Sequence, residues 1–189
     1  NRLLYESAGQ IYAIDKDGTN LTVLVDNQQE VKKKNVYVSY YKRFLYNKVL
    51  HILPKEEDQI LVETFDFKGF ASVNKINVFT GEKVEIISGG YHKMNGWYLD
   101  RTGKPLIGIK EDETSWTYYV EDKAQNKWVP LNIRLGEEEY LFKINADSYL
   151  KQHFTFQGVD YEKNTIYITS NINTDKRELY EYNLEQRAV

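Results

Sequence analysis

Three histidines, His51, His92 and His153, are the first residues in this chain that invite a chemical reading. They lie too far apart in sequence for any pair to show the local spacing of a metal site, and no cysteine assists them. Two acidic runs, Glu56-Glu57-Asp58 and Glu111-Asp112-Glu113, suggest acid/base work or calcium. A general acid/base pair needs two carboxylates a few ångströms apart in a cleft, with their pKa values split. Adjacent loop carboxylates point apart and stay hydrated, and neither run has the alternating calcium-loop pattern with its central glycine. Solvated turns are therefore the expected role. Lys32-Lys33-Lys34, followed by Tyr37, Tyr40 and Tyr41, has the basic-plus-aromatic grammar of single-strand nucleic-acid binding. One triplet in a chain of net charge -3 is thin support, and a solvated connection beside a strand explains it better. Trp97, Trp116 and Trp128 offer a sugar-stacking platform, although core packing between sheets accounts for them more simply. Asn20-Leu21-Thr22 has the form of a glycosylation sequon and carries no further weight. The seven serines are Ser7, Ser39, Ser72, Ser88, Ser115, Ser148 and Ser170, and none has glycine at both -2 and +2. No catalytic, cofactor-binding or metal-binding residue is assigned, and no cofactor is expected.

Composition narrows the classes. The chain has 189 residues, 41% apolar and 28% charged, which is ordinary for a folded protein. Cysteine is absent, which excludes a disulfide framework, a thiolate zinc site and a cysteine nucleophile without fixing the compartment. There is no basic field for nucleic acid and no apolar run long enough to span a membrane. The chain opens on Asn1 and shows no signal peptide, so a preceding targeting segment would leave no trace here. Its compartment stays open between exported or periplasmic and cytoplasmic.

The elements that must position these residues are strands. Tyr contributes 16 residues, and short alternating apolar runs recur between turns. Leu3 to Tyr5, Gln10 to Ile14 and Leu21 to Val25 surround the turn Asp15-Lys16-Asp17-Gly18. A second copy runs from Ile60 through Val73–Val78 to Lys83–Ile87, turning at Thr80-Gly81. A third begins at Gly96-Trp97-Tyr98-Leu99 and turns at Asp100-Arg101-Thr102-Gly103. It then passes through Trp116–Val120, turns near Gln125-Asn126 and ends on Trp128-Val129-Pro130-Leu131. A fourth holds Phe154-Thr155-Phe156, Thr165–Thr169 and Leu179–Leu184, with a turn near Glu185-Gln186. Each full copy reads as four antiparallel strands, the blade of a β-propeller. The expectation is an all-β partial propeller. Residues 1–25 form a partial blade, and 46–87, 94–131 and 153–189 form three four-stranded blades. The stretches 26–50 and 134–152 read as connections between blades with a short helix or an extra strand. Such an open arc would leave blade edges free for self-association.

The segment from Ile52 to Leu131 resembles the N-terminal propeller of prolyl-oligopeptidase-family serine peptidases, in the acylaminoacyl-peptidase and dipeptidyl-peptidase-like branches. The likeness rests on Leu53 to Val62, Val73 to Gly81, Gly96 to Asp100, Gly103-Lys104-Pro105 and Trp128 to Leu131, with Tyr167 to Asn171 and Glu178 to Leu184 resembling the next blade. The resemblance implies a noncatalytic propeller that gates peptide substrate into an α/β-hydrolase domain of the same parent chain. That domain would carry the Ser, Asp and His of catalysis, and this sequence contains no such elbow. Glu56-Glu57 and Glu137-Glu138-Glu139 lack the context of the substrate-amine glutamates in one branch, so that role is not transferred. Two alternatives stand beside this reading. One is a stand-alone propeller-like module that binds protein or polysaccharide. The other, weaker, is a carbohydrate-active propeller enzyme with clustered acids.

Overall fold

The computed structural model describes residues 2–26, 47–53, 55–66, 68–100, 102–135, 137–145, 154–160, 162–172, 174–186 and 189. These form two compact units, Asn1–Gly96 and Trp97–Val189. The architecture is all-β. Its antiparallel sheets run up and down in sequence order, and within each unit they pack face to face as the blades of a propeller do.

In the first unit, β1 (Arg2–Ser7), β2 (Gln10–Asp15) and β3 (Thr22–Val25) make a three-stranded meander. Ala8 and Gly9 both have positive φ, 51° and 77°, as a two-residue hairpin with the right-handed twist of its strands requires. A four-stranded meander follows, with β4 (Lys48–Ile52), β5 (Gln59–Phe65), β6 (Ala71–Asn77) and β7 (Lys83–Ile87). Alternation puts Ile11, Ala13 and Leu24 of the first sheet against Ile60, Val62, Ile76 and Val78 of the second, all buried. A single helical turn, α1 (Gly89–His92), closes the unit. A side chain on Gly89 would put its Cβ 2.3 Å from the Ala71 carbonyl oxygen, so only glycine fits there.

The second unit starts with β8 (Gly96–Leu99), whose first residue ends the first unit, then β9 (Pro105–Glu111), β10 (Ser115–Asp122) and β11 (Lys127–Pro130). The chain then leaves the sheet as a hairpin, β12 (Asn132–Leu135) and β13 (Glu138–Leu141), and returns as β14 (Lys143–Asn145). β11 pairs with Tyr119–Asp122 of β10 and β14 with Ser115–Thr117, so the two strands share one edge end to end. At the junction Tyr118 N donates to Phe142 O at 3.2 Å, Leu131 N to Tyr118 O at 2.8 Å and Phe142 N to Leu131 O at 2.8 Å. The expected connection over 134–152 thus contributes an extra strand and a hairpin, making this sheet five-stranded. The last sheet is β15 (Phe154–Asp160), β16 (Thr165–Ser170) and β17 (Glu178–Asn183). It holds three strands among the described residues, where the repeat pattern led us to expect four. Of the expected connection over 26–50, residues 27–46 lie outside the described residues, and Lys48 to Leu50 open β4.

The hairpins share a device. Asp66, Asp100, Asn77, Asp122 and Asp160 each accept backbone N–H groups two to four residues on through Oδ1. Gly18, Gly69 and Gly103 then lie three residues after an aspartate with φ of 83°, 82° and 88°. Gly81, Asn126 and Asn164 lie four after an Asx residue with φ of 73°, 50° and 51°. In the left-handed region a Cβ crowds the following carbonyl oxygen, a cost that Gly avoids and that Asn offsets by local hydrogen bonding.

Candidate functional site

The acidic runs serve local structure. Glu56 pairs with Lys75 Nζ at 2.9 Å, and Asp58 Oδ2 accepts the Asn77 amide at 2.8 Å. Asp112 accepts Thr114 N at 3.1 Å and the Ser115 hydroxyl at 2.7 Å, and its partners hold its carboxyl below the usual range, the Ser115 hydroxyl contributing most. His51 lies on β4, His92 closes α1 edge-on to Tyr91, and His153 lies outside the described residues. Among the described residues no group of three or more His, Asp or Glu side chains is placed to hold a metal. Lys32-Lys33-Lys34, Tyr37, Tyr40 and Tyr41 also lie outside the described residues, as do Ser39 and Ser148. Trp97 and Trp128 meet edge to face at 5.0 Å, with Trp97 buried, whereas Trp116 is exposed. The three tryptophans therefore form no common flat platform. Asn20 of the sequon turns its amide to Asp15 Oδ2 at 2.7 Å.

Two clefts of the second unit bring charged and apolar side chains together. The first, about 270 Å³, has Leu106, Val120 and Leu184 as its apolar wall and Lys104, Lys123, Glu121 and Glu185 at its rim. Lys123 Nζ stands 3.8 Å from Glu185 Oε1, which also accepts the Asn164 amide at 3.3 Å. The second, about 370 Å³, is lined by Val120, Leu131, Asn132, Arg134, Glu137 and Glu139. Both present charges of both signs over an apolar floor. The hairpin turns set the rim. Lys104 follows the Asp100–Gly103 turn, and Lys123 sits inside the Asp122–Asn126 turn. In the sequence Lys104 and Leu131 entered only as carriers of the resemblance, Val120, Leu184 and Glu185 only as strand or turn positions, and Glu137 and Glu139 only as acids whose role was not transferred. The available signal was the Asx residue preceding each left-handed Gly or Asn, which fixes where each turn presents its lysine.

The turn at Asp100 makes a testable contribution to stability. Burial opposes ionisation of its carboxyl, but hydrogen bonds from the Thr102 hydroxyl and from Lys104 N and Thr102 N outweigh it and lower the pKa. The unfolded chain then binds the proton more readily than the folded one. The stabilisation is present above the ordinary aspartate value and is lost as pH falls through the lowered one. Asp100→Asn keeps the acceptor oxygen and removes the charge. Urea midpoints measured from neutral pH downward are expected to fall less steeply with acid in this variant than in the wild type. Parallel acid slopes would refute the assignment.

No family model matches the sequence, and no curated protein matches it. Among solved structures the chain is similar to the crystal structure of TolB from Acinetobacter baumannii, with 13% identity and a TM-score of 0.46. The alignment covers 96% of this chain and 38% of that one, so the chain spans less than half the length of that protein.

Proposed function

We propose that this chain is a noncatalytic, propeller-type binding domain whose second unit takes an extended peptide segment bearing charges of both signs. The supporting observation is the pair of clefts around Val120, each with cations and carboxylates at the rim of an apolar wall. An extended peptide offers alternating apolar and charged side chains on a backbone that can hydrogen-bond, which suits such a lining. Charge pairing at the rim contributes selectivity and encounter rate more than raw affinity. Panning a displayed random-octapeptide library on the purified chain is expected to enrich sequences carrying both signs. Lys104→Glu with Lys123→Glu should weaken the enriched peptides about tenfold or more, and added salt should weaken wild-type binding. A library that yields no enrichment, or peptides indifferent to the double variant, would sink this reading.

A finer reading makes the domain the propeller of a serine oligopeptidase, gating peptides into a hydrolase domain of the same parent chain. Its support is the resemblance carried by Leu53 to Val62, Gly96 to Asp100 and Trp128 to Leu131. The parent reading frame tests it. A Gly-x-Ser-x-Gly elbow followed by Asp and His supports the gate, and further blades alone refute it.

A further inference from the structure

The charges on the two clefts of the second unit are unequal. The first cleft sets Lys104 and Lys123 against Glu121, Asp122 and Glu185. The second sets Arg134 against Glu137 and Glu139. Carboxylates outnumber cations in each, and Val120 lines both, so the two sets of charges adjoin.

Pairing within the clefts accounts for most of these groups. Lys123 Nζ faces Glu185 Oε1 at 3.8 Å. Arg134 stands directly opposite Glu139 in the register of β12 and β13, where cross-strand side chains are neighbours. The Asp122 carboxylate holds its own turn, accepting Ala124 N at 3.0 Å and the Gln125 side-chain amide at 3.2 Å. Glu121, Glu137 and Lys104 are left over. None of the three has an ion pair or a side-chain hydrogen bond among the described residues. Glu121 is half-buried and Glu137 exposed. A partly desolvated carboxylate without a counter-charge gains more from an incoming cation than a fully hydrated one does.

We infer that the peptide segment taken by these clefts is net basic: lysine or arginine side chains pair with Glu121 and Glu137, and a single acidic group meets Lys104. This rests on the peptide-binding reading above and adds to it the sign of the ligand's net charge. The surplus of carboxylates repels polyanions, so the same lining disfavours nucleic acid and acidic peptides. Charge reversal at Lys104 and Lys123 reads the ligand's acidic contact, whereas the two glutamates read its basic ones.

Fluorescence anisotropy of labelled octapeptides on the full chain tests this. The series keeps the apolar residues of one enriched sequence and varies its charged residues to give net charges of plus two, zero and minus two. The basic member is expected to bind about tenfold more tightly than the acidic one. Glu121→Gln and Glu137→Gln should each cut that ratio about threefold. Glu113→Gln, exposed between β9 and β10 and outside both clefts, should leave it unchanged. Should a variant fail to fold, salt gives the same reading in the wild type, weakening the basic peptide and tightening the acidic one. Enriched peptides that bind equally at all three charges, or best when acidic, overturn the inference and leave the peptide-binding reading standing. Equal effects of Glu113→Gln and Glu121→Gln also overturn it, because the preference would then belong to the overall charge of the chain. A library that yields no enrichment overturns both.

Discussion

Replacing Phe142 with alanine is expected to destabilise the second unit by about 3–5 kcal/mol. Phe142 is fully buried at the point where β11 hands over to β14 along one edge of β10. Its ring meets Tyr118 at 4.6 Å, Phe154 at 5.6 Å and Phe156 at 6.5 Å, so it touches both the five-stranded sheet and the last sheet. The inserted hairpin adds Ile133 and Leu135 to the same core. Truncation opens a cavity among stiff aromatic rings, which relax little. It also loosens the packing over Tyr118, whose hydroxyl burial pushes well above the ordinary tyrosine range, with Tyr98 adding to the effect. Thermal unfolding followed by near-ultraviolet circular dichroism reads the result. We expect a melting temperature of this unit lowered by more than about 10 °C. A shift of only a degree or two would show that Phe142 does not hold the sheets together.

The second large effect is expected at Arg2. Its guanidinium side chain is only 3% exposed and sits inside the first unit. Nε faces Asp15 Oδ1 at 3.1 Å as an ion pair, Nη1 donates to Thr22 Oγ1 at 3.0 Å, and Nη2 donates to Ala13 O at 2.9 Å. Nη1 also reaches the Val78 carbonyl and Nη2 that of Asn20, so one side chain ties all three strands of the first sheet to the residue that follows β6. The Phe79 ring lies under the cation at 5.5 Å. Arg2→Ala leaves several carbonyls without this donor, whereas Asp15, 29% exposed, keeps the Asn20 amide, and losing hydrogen bonds from a charged donor costs about 1.5–3 kcal/mol. Arg2→Lys should recover little, because an ammonium cannot serve three directions from one planar fork. Urea unfolding of the wild type, Arg2→Ala and Arg2→Lys checks this. Full recovery by lysine would mean that charge alone matters and that the fork geometry does not.

Neither residue attracted notice in the sequence. Strand reading began at Leu3 because alternation of apolar residues is what marks a strand, and a buried arginine breaks that alternation. Phe142 fell in a stretch with weak periodicity, since it lies between two short strands and belongs to neither. The turns, by contrast, were legible. Gly18, Gly81, Gly103 and Asn126 occupy left-handed positions that few other residue types tolerate, so their spacing exposes the hairpins directly. The Asx residues that organise the same turns were equally visible in sequence. Asp112 follows the solvated-turn expectation, since it is exposed and its carboxylate accepts Thr114 N and the Ser115 hydroxyl.

The clefts could not be read in the same way. Lys104, Lys123 and Glu185 come from three different turns, and each looks like an ordinary solvated charge until the sheets pack. Sequence alone determined that this chain is built of antiparallel meanders, where most of them turn, and which chemistries it lacks the residues to perform. These are local properties, set by backbone sterics and the two-residue period of a strand. Tertiary structure decided which face of each meander is covered, which edge of β10 takes two strands, and which charges share a cleft. Those outcomes depend on contacts between residues far apart in the chain. Hydrophobic burial is non-directional and specifies that apolar faces must be covered without saying by what.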